Sequence, residues 1–334
     1  MARSTVPSHC RNERGIALIT TLLALAIAVT AATAVAYRVH LEIRRTQNVL
    51  SADQAQLYAR TAEPIAKALL GIDRKANQID VVNEDEAWTH TNQTLTMEDG
   101  ATARMVIGDL QGRFNLNSLA STDADRSHFA AELFRRLQEA EAPGAPPELG
   151  VKLADWTDPD QNVRFPGGAE DDVYTRMNPP YRPADQLMVD PSELRLLDGM
   201  SGDTGRRTWH GLCPYIAALP SADLPTNVNT APVPVLLSLA PGLSPADAKK
   251  AIAGRPYNNV EDFLTRNTAF AAPGLKSGWL SVASEYFLVH TRVTMDRARV
   301  DLYSVLHRPS SGPISVIYRA RTAPGCVDGR LAFN

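Results

Sequence analysis

The uncharged run from Ile16 to Tyr37, inside "RNERGIALITTLLALAIAVTAATAVAYRVH" (Arg11 to His40), constrains this chain more than any other feature. Wound as a helix at ~1.5 Å per residue, it covers about 33 Å, enough for a hydrocarbon core of roughly 30 Å. A cleavable secretory signal would be shorter, about 7 to 15 apolar residues closed by a small-x-small site. Ala24, Ala26 and Ala28 imitate such a site, but the apolar character continues past them without a polar break. The run therefore reads as a membrane span. Arg3, Arg11 and Arg14 stand before it against Glu13, and Arg38, Arg44 and Arg45 follow it, so the flanking charge gives no clean orientation.

Helical periodicity continues beyond the span. Val39, Ile43, Leu50, Leu57, Ile65 and Leu69 recur at steps of four, seven or eight, which places them on one face of a helix. Glu42, Arg44, Arg45, Asp53, Gln56 and Arg60 lie between them on the polar side. The apolar row is expected to pack on a soluble domain, with a bend at Pro64 and a stop at Gly71.

After residue 71 the pattern changes to period 2. Ala101, Ala103, Met105 and Ile107 alternate with Thr102, Arg104 and Val106 after the turn Glu98–Gly100. Strand signals return only in "WLSVASEYFLVHTRVTM", "RARVDLYSVLHR" and "PISVIYRAR". A lone early strand is unstable, so the early and late strands should pair in one antiparallel sheet covered by the N-terminal helix, and the middle becomes an insertion. That middle reads helical. "DRSHFAAELFRRLQEA" is amphipathic through Phe129, Leu133, Phe134 and Leu137. Two later units share a layout: a Pro-opened short helix, a Gly turn (at Gly199 and at Gly242), and a second helix.

The second unit, from "NVNTA" to "VEDFL", resembles the helix-hairpin-helix or SAM-like family, some members of which bind DNA phosphates. That raises an alternative reading, a membrane-anchored periplasmic DNA-binding protein. Ser244 follows Leu243 where a second Gly is usual, and nearby basic residues are limited to Lys249, Lys250 and Arg255. The formal net charge of −3 also argues against a phosphate-neutralising surface.

"LADWTDPDQNVRFPGGAEDDVY" is the most chemically loaded stretch. Asp158, Asp160 and Asn162 have the spacing of the first three oxygen ligands of an EF-hand, but Val163 replaces the required Gly and Glu170 falls one residue late. Asp158, Asp160, Glu170, Asp171 and Asp172 would repel one another unless solvated or neutralised. Hard oxygen ligands suit Ca²⁺, and the lack of nearby His or Cys disfavours zinc. A solvated loop whose Asp side chains cap turns remains the other reading, with Asp155 as a turn residue.

The junction "RG" before "IALITTLLAL" resembles a type IV prepilin-like processing site, cut between Gly15 and Ile16 by a prepilin peptidase, with N-methylation of Ile16. With "DLQGRFNLNSL", "LADWTDPDQN", "GGAEDDVY", "PPYRPADQLMVDPSELRLLDGM" and "NVNTAPVPVLLSL", the sequence resembles the K-type minor pseudopilins (GspK) of the bacterial type II secretion system. The resemblance implies an α+β protein: a long N-terminal transmembrane helix on an antiparallel pilin-like sheet, interrupted by a large inserted α-helical domain with the helix-hairpin-helix/SAM-like units. The expected divisions are a leader at 1–15, helix at 16–70 (spanning at 16–37), sheet at 71–117 and 280–321, insertion at 118–279 and tail at 322–334. Removing the leader, which carries three Arg against one Glu, would leave the mature chain at −5.

Further implications are I-type and J-type minor pseudopilins and the inner-membrane secretion platform as partners, and a place at the tip of a periplasmic pseudopilus that exports folded proteins. The resemblance also implies single-pass inner-membrane anchoring with the globular part in the periplasm, and Ca²⁺ bound by the acidic loops of the insertion, for which Asp158, Asp160, Asn162, Glu170 and Asp171 are the candidate ligands. Most pseudopilins carry Glu at the fifth mature position, where it is thought to pair with the N-terminal amine of the subunit above. Here the position is Thr20, whose hydroxyl can bond to its own helix, so this subunit is expected to start or cap assembly.

No catalytic motif is present, and the seven His (residues 9, 40, 90, 128, 210, 290 and 307) are scattered, so an enzyme is not expected. Of the three cysteines, Cys10 would leave with the leader. Nothing in the sequence brings Cys213 to Cys326, and they are expected to stay free.

Overall fold

The computed structural model describes residues 13–76, 79–81, 88, 94–323 and 325. Most of the expected leader and most of the tail, including Cys10 and Cys326, fall outside them. Helix α1, Glu13–Ala76, is one 64-residue element, about 96 Å long at ~1.5 Å per residue, and it runs through both Pro64 and Gly71. The helix therefore continues past the expected stop at Gly71. Gly71 is tolerated because helix packing on the sheet continues beyond it: Asp73 is buried and ion-paired to Arg308 at 2.9 Å.

The packing face of α1 also differs from the expected one. Ala55, Ala59, Ala62, Ala66 and Leu70 are buried, whereas Val39, Ile43, Leu50, Leu57 and Ile65 are between 45% and 63% exposed. Alanines let the helix axis come close to the strands; of the expected row, Leu69 packs in part on the sheet and the other five large side chains face outward.

The sheet has the strand order β1 (Thr94–Thr96), β2 (Thr102–Asp109), β7 (Tyr286–Met295), β8 (Ala298–His307) and β9 (Ser315–Ala320), antiparallel throughout. The early strands therefore pair with the late ones, as the isolation of the first strand signal required. Register places Ala103 opposite Val293 and Phe287 opposite Leu306, so one face meets α1. Polar clasps fix the helix on it. Ser51 donates to Asp296 in the β7–β8 turn (2.9 Å), and Glu63 accepts from Ser304 (2.7 Å) and from Arg319 (2.7 and 2.8 Å). Burial alone would raise the Glu63 carboxyl, but those hydrogen bonds and the Arg319 and Lys67 charges hold it below the usual range.

The insertion folds around its own core, from Phe114 to Leu280. It contains α2 (Ala124–Glu141), α3 (Leu149–Thr157), α4 (Asp171–Tyr174), α5 (Gly202–Leu212), α6 (Val233–Ser238), α7 (Pro245–Ala253) and α8 (Val260–Arg266). Leu133, Phe134 and Leu137 of α2 are buried in it, as their spacing predicts. Gly199 and Gly242 take φ of +88° and +77°, so each repeated unit does turn at a left-handed Gly. Two pairs of short parallel strands close the base: β3 (Phe114–Asn115) on β4 (Ile216–Ala217), and β5 (Thr226–Asn227) on β6 (Leu280–Ser281).

The expectation of free thiols is overturned at Cys213, which is buried and disulfide-bonded. The other two cysteines lie outside the described residues. The physical reason is that the end of the chain returns to the inserted domain. Ala323 packs against the cluster that holds Ala217 and Leu219, and Gly325 lies so close to Pro191 that a Cβ there would be 2.9 Å from its ring.

Candidate functional site

The sequence singled out three groups of residues, and the structure gives each a distinct setting. "GRFNLN" and "NVNTA" meet at the base of the insertion. A Cβ on Gly112 would come within 2.8 Å of the Thr230 backbone, so only Gly allows this approach. Four buried asparagines act as two-sided staples. Asn117 donates to the carbonyls of Met188 (2.9 Å) and Leu219 (2.7 Å) and accepts from Met188 N–H (2.8 Å). Asn229 binds both backbone groups of Tyr257 (2.9 and 3.0 Å), Asn115 accepts from Leu219 N–H (3.0 Å) and donates to Ser221 O (2.8 Å), and Asn227 donates to Asp80 O (3.1 Å) while accepting from Asn229 N–H (2.9 Å). Only an amide side chain presents both a donor and an acceptor to backbone at these points. These motifs therefore specify fold.

Beside them, Arg308 joins the end of α1 to the sheet and insertion through Asp73 and Asp80. Burial, opposed by Arg308, pushes the Asp80 carboxyl up to about 6. His290 is equally structural, buried with its Nε2 2.8 Å from Asp301 and its ring stacked on Tyr303.

The acidic stretch leaves α3 and wraps back through a loop to α4. Asp155, Asp158 and Glu170 are buried, while Asp160 and Asn162 are exposed. Asp160 caps the turn by accepting from Asn162 N–H (2.8 Å). A residue outside the predicted set, Asp185, joins the cluster from a left-handed backbone (φ +49°). Asp155, taken from the sequence as a turn residue, lies at the centre. Its Oδ2 accepts from Arg164 N–H (3.2 Å) and Ala169 N–H (2.9 Å). A side chain at Gly168 would overlap that oxygen, which explains the Gly before "AED".

Six buried carboxylate oxygens have no hydrogen-bond partner: Asp155 Oδ1, Asp158 Oδ1, both of Glu170, Asp171 Oδ1 and Asp185 Oδ1. Such groups are costly unless something neutralises them. Burial, then the charges of Asp155, Asp158, Asp185 and Asp160, push the Glu170 carboxyl up to about 7. Burial and neighbouring carboxylates also raise Asp155 and Asp185. Among the described residues, no three His, Cys, Asp or Glu side chains are already closed around one point in metal-holding geometry. The carboxylates thus share a region without having converged.

At the N-terminal end, Gly15 and Ile16 lie within α1, and the Thr20 hydroxyl donates to its own helix at Ala17 O (3.0 Å). The helix is long and apolar enough to cross a membrane. At the hairpin of the second repeated unit, the Arg255 guanidinium is engaged by Ala231 O, which leaves exposed Lys249 and Lys250 as its basic surface.

Comparison with known proteins decides among the readings. Two family models described as type II secretion system protein K match residues 112–221 and 226–289. A "Type II secretion system protein K" of Pseudomonas aeruginosa is 35% identical over 92% of this chain and 93% of its own length. The chain belongs to the type II secretion system protein K family. Members from Aeromonas hydrophila (32% identical, 93% of this chain, 97% of theirs) and Klebsiella pneumoniae (34%, 89% and 93%) agree. The GspK-GspI-GspJ complex of the enterotoxigenic Escherichia coli type 2 secretion system contains a chain of the same fold. The two superpose with a TM-score of 0.71 at 24% identity, over 84% of this chain and 99% of that one. The chain is thus a minor pseudopilin of the type II secretion system, a structural component of protein export. The DNA-binding alternative finds no support in these matches.

Proposed function

We propose that this chain starts or caps the pseudopilus at its tip, in complex with the I-type and J-type minor pseudopilins. The observation that carries the reading is Thr20. A carboxylate five residues into the mature helix would need the N-terminal amine of a subunit above it, whereas the Thr20 hydroxyl is already satisfied by Ala17 O. Two further features support it. The inserted domain is too large for a protein stacked at pilin spacing along a filament. The outward row Val39, Ile43, Leu50, Leu57 and Ile65 offers a face to neighbouring helices. The structural neighbour was solved in complex with GspI and GspJ, and those are the partners proposed for this face.

On this reading, prepilin peptidase cuts between Gly15 and Ile16 and Ile16 is N-methylated. The helix is held in the inner membrane by residues 16–37 until the secretion platform moves it into the filament, with the globular part in the periplasm. Mass spectrometry of the mature N-terminus tests processing: an N-methylated Ile16 is expected, and a start near residues 25–30 would indicate ordinary secretion. Copurification with the two partner pseudopilins tests assembly.

The acidic cluster is proposed to hold a structural Ca²⁺. Six orphaned oxygens from carboxylates fit a hard cation that takes six to eight oxygen ligands. Asp155, Asp158, Glu170, Asp171 and Asp185 would supply them, with Asp160 and Asn162 at the exposed edge. The cation would neutralise the cluster and tie the end of α3 to α4.

A further inference from the structure

The cation reading leaves one pattern unexplained: on each of the four aspartates with an orphaned oxygen, the other oxygen is held by a hydrogen bond or an ion pair, while the orphaned one accepts no hydrogen bond. Asp158 Oδ2 accepts from Arg164 Nε (3.1 Å) and Nη2 (2.6 Å), while its Oδ1 has no partner. Asp185 Oδ2 accepts from Gln161 Nε2 (2.9 Å), and its Oδ1 is free. Asp171 Oδ2 stands 3.4 Å from Arg182 Nη1, and again Oδ1 is free. Asp155 Oδ2 is held by loop amides, one of them that of Arg164 itself. Glu170 alone has both oxygens free and is almost fully buried.

A carboxylate on a flexible side chain can offer either oxygen. Here a neighbouring group has already chosen. We propose that Gln161, Arg164 and Arg182 form an outer ring of positioning residues that dictates which oxygen of each aspartate faces a bound divalent cation, with Arg164 the dominant member. The inference rests on the cation reading and names the residues of this chain that make the site selective.

Arg164 carries most of the effect for two reasons. It makes two N–H bonds to one oxygen of Asp158, so that carboxylate cannot rotate without losing both. Its backbone holds Asp155, and its carbonyl accepts from Gly168 N–H (2.9 Å), which closes the loop beneath Glu170. Its charge works the other way, since a guanidinium repels a bound cation, and the positioning outweighs that repulsion. The five carboxylates and the guanidiniums of Arg164 and Arg182 leave a formal −3, which a divalent cation brings to −1. Arg164 does not fill the site, because Asp158 Oδ1 and both Glu170 oxygens stay without a hydrogen-bond partner beside it. It bonds to the oxygen of Asp158 opposite the free one, and its Nε stands 3.3 Å from Asp155 Oδ1 as an ion-pair contact without a hydrogen bond. Outer groups of this kind typically change metal affinity by about 10- to 100-fold.

The test uses the full chain in detergent, with Tb³⁺ luminescence sensitised by Trp156, next to Asp155, and Ca²⁺ as competitor. Luminescence lifetimes in H₂O and D₂O count the waters on the bound ion. Arg164→Ala should weaken Tb³⁺ and Ca²⁺ binding about 10- to 100-fold and add at least one water, because Asp158 turns away. Arg164→Lys should recover part of both, and Arg182→Ala, at an exposed side chain, should lose less than about 10-fold. If Arg164→Ala loses its circular dichroism signature, the test is read from Arg164→Lys and Arg182→Ala, whose changes carry the same sign. Equal or tighter binding with unchanged hydration in those variants would overturn the positioning role. A wild-type chain that binds neither ion would overturn the cation reading, and the positioning role with it.

Discussion

Replacing Asn117 with leucine separates a structural from a recognition role for the "GRFNLN" motif. Asn117 is fully buried and holds three backbone groups: the N–H and carbonyl of Met188 and the carbonyl of Leu219. Leucine is similar in size but offers no polar atom. Each orphaned buried group costs about 1–3 kcal/mol, so three cost about 3–6 if they partly relax. Burial of the leucine side chain returns roughly 2 kcal/mol. The net expectation is a loss of about 1–4 kcal/mol, read by denaturant unfolding of the oxidised full chain in detergent. Trp156 and Trp279, both in the insertion, report the transition. Asn258→Leu at an exposed position is the control, expected within about 0.5 kcal/mol of wild type. If Asn117→Leu unfolded like the control yet failed to copurify with partner pseudopilins, the staple argument would be refuted and the motif would belong to an interface.

Four further outcomes follow from the same structure. Ala59→Leu, on the fully buried face of α1, should cost about 1–3 kcal/mol by overpacking, read by the same unfolding assay. Leu57→Ala, on the exposed row, should leave stability within about 0.5 kcal/mol but weaken copurification with the I-type and J-type proteins. Because the folded Glu170 carboxyl lies near 7, above its unfolded value, its ionisation destabilises the cation-free fold as pH rises from about 4.5 to about 7. A divalent cation needs the ionised form, so the rise in melting temperature on adding calcium should grow across that window and vanish with chelator. A calcium effect independent of pH would contradict it. Thr20→Glu should let the protein enter positions below the filament end, detected by cross-linking to major pseudopilin. A variant still confined to the end would show that Thr20 is not what excludes it.

Much of the fold was legible because it rests on local pattern. The 22-residue run, the period-2 strands and the amphipathic Phe129–Leu137 stretch each declare their element by spacing alone. The pairing of early with late strands followed because an isolated strand cannot stand. The buried face of α1 was misread because size was used as the signal for burial. Close helix–sheet packing instead selected Ala55, Ala59 and Ala66, and the large side chains were left for other contacts. The cysteine expectation failed for a related reason: the return of the tail to Ala217 and Pro191 is a long-range event without local pattern. In the acidic cluster, EF-hand spacing pointed to Asp160 and Asn162, which form an exposed turn. The members Asp155 and Asp185, 30 residues apart in sequence, are brought together by tertiary structure. The one sequence signal for Asp155 was "GG" ahead of "AED", since a Gly there implies close approach of another group.

The most direct test of a tip position is immunogold labelling of the inserted domain on intact pseudopili that contain this chain at its native level. Gold confined to one end of each filament is the expected result. Gold distributed evenly along the filament would contradict both the Thr20 argument and the steric argument from the insertion.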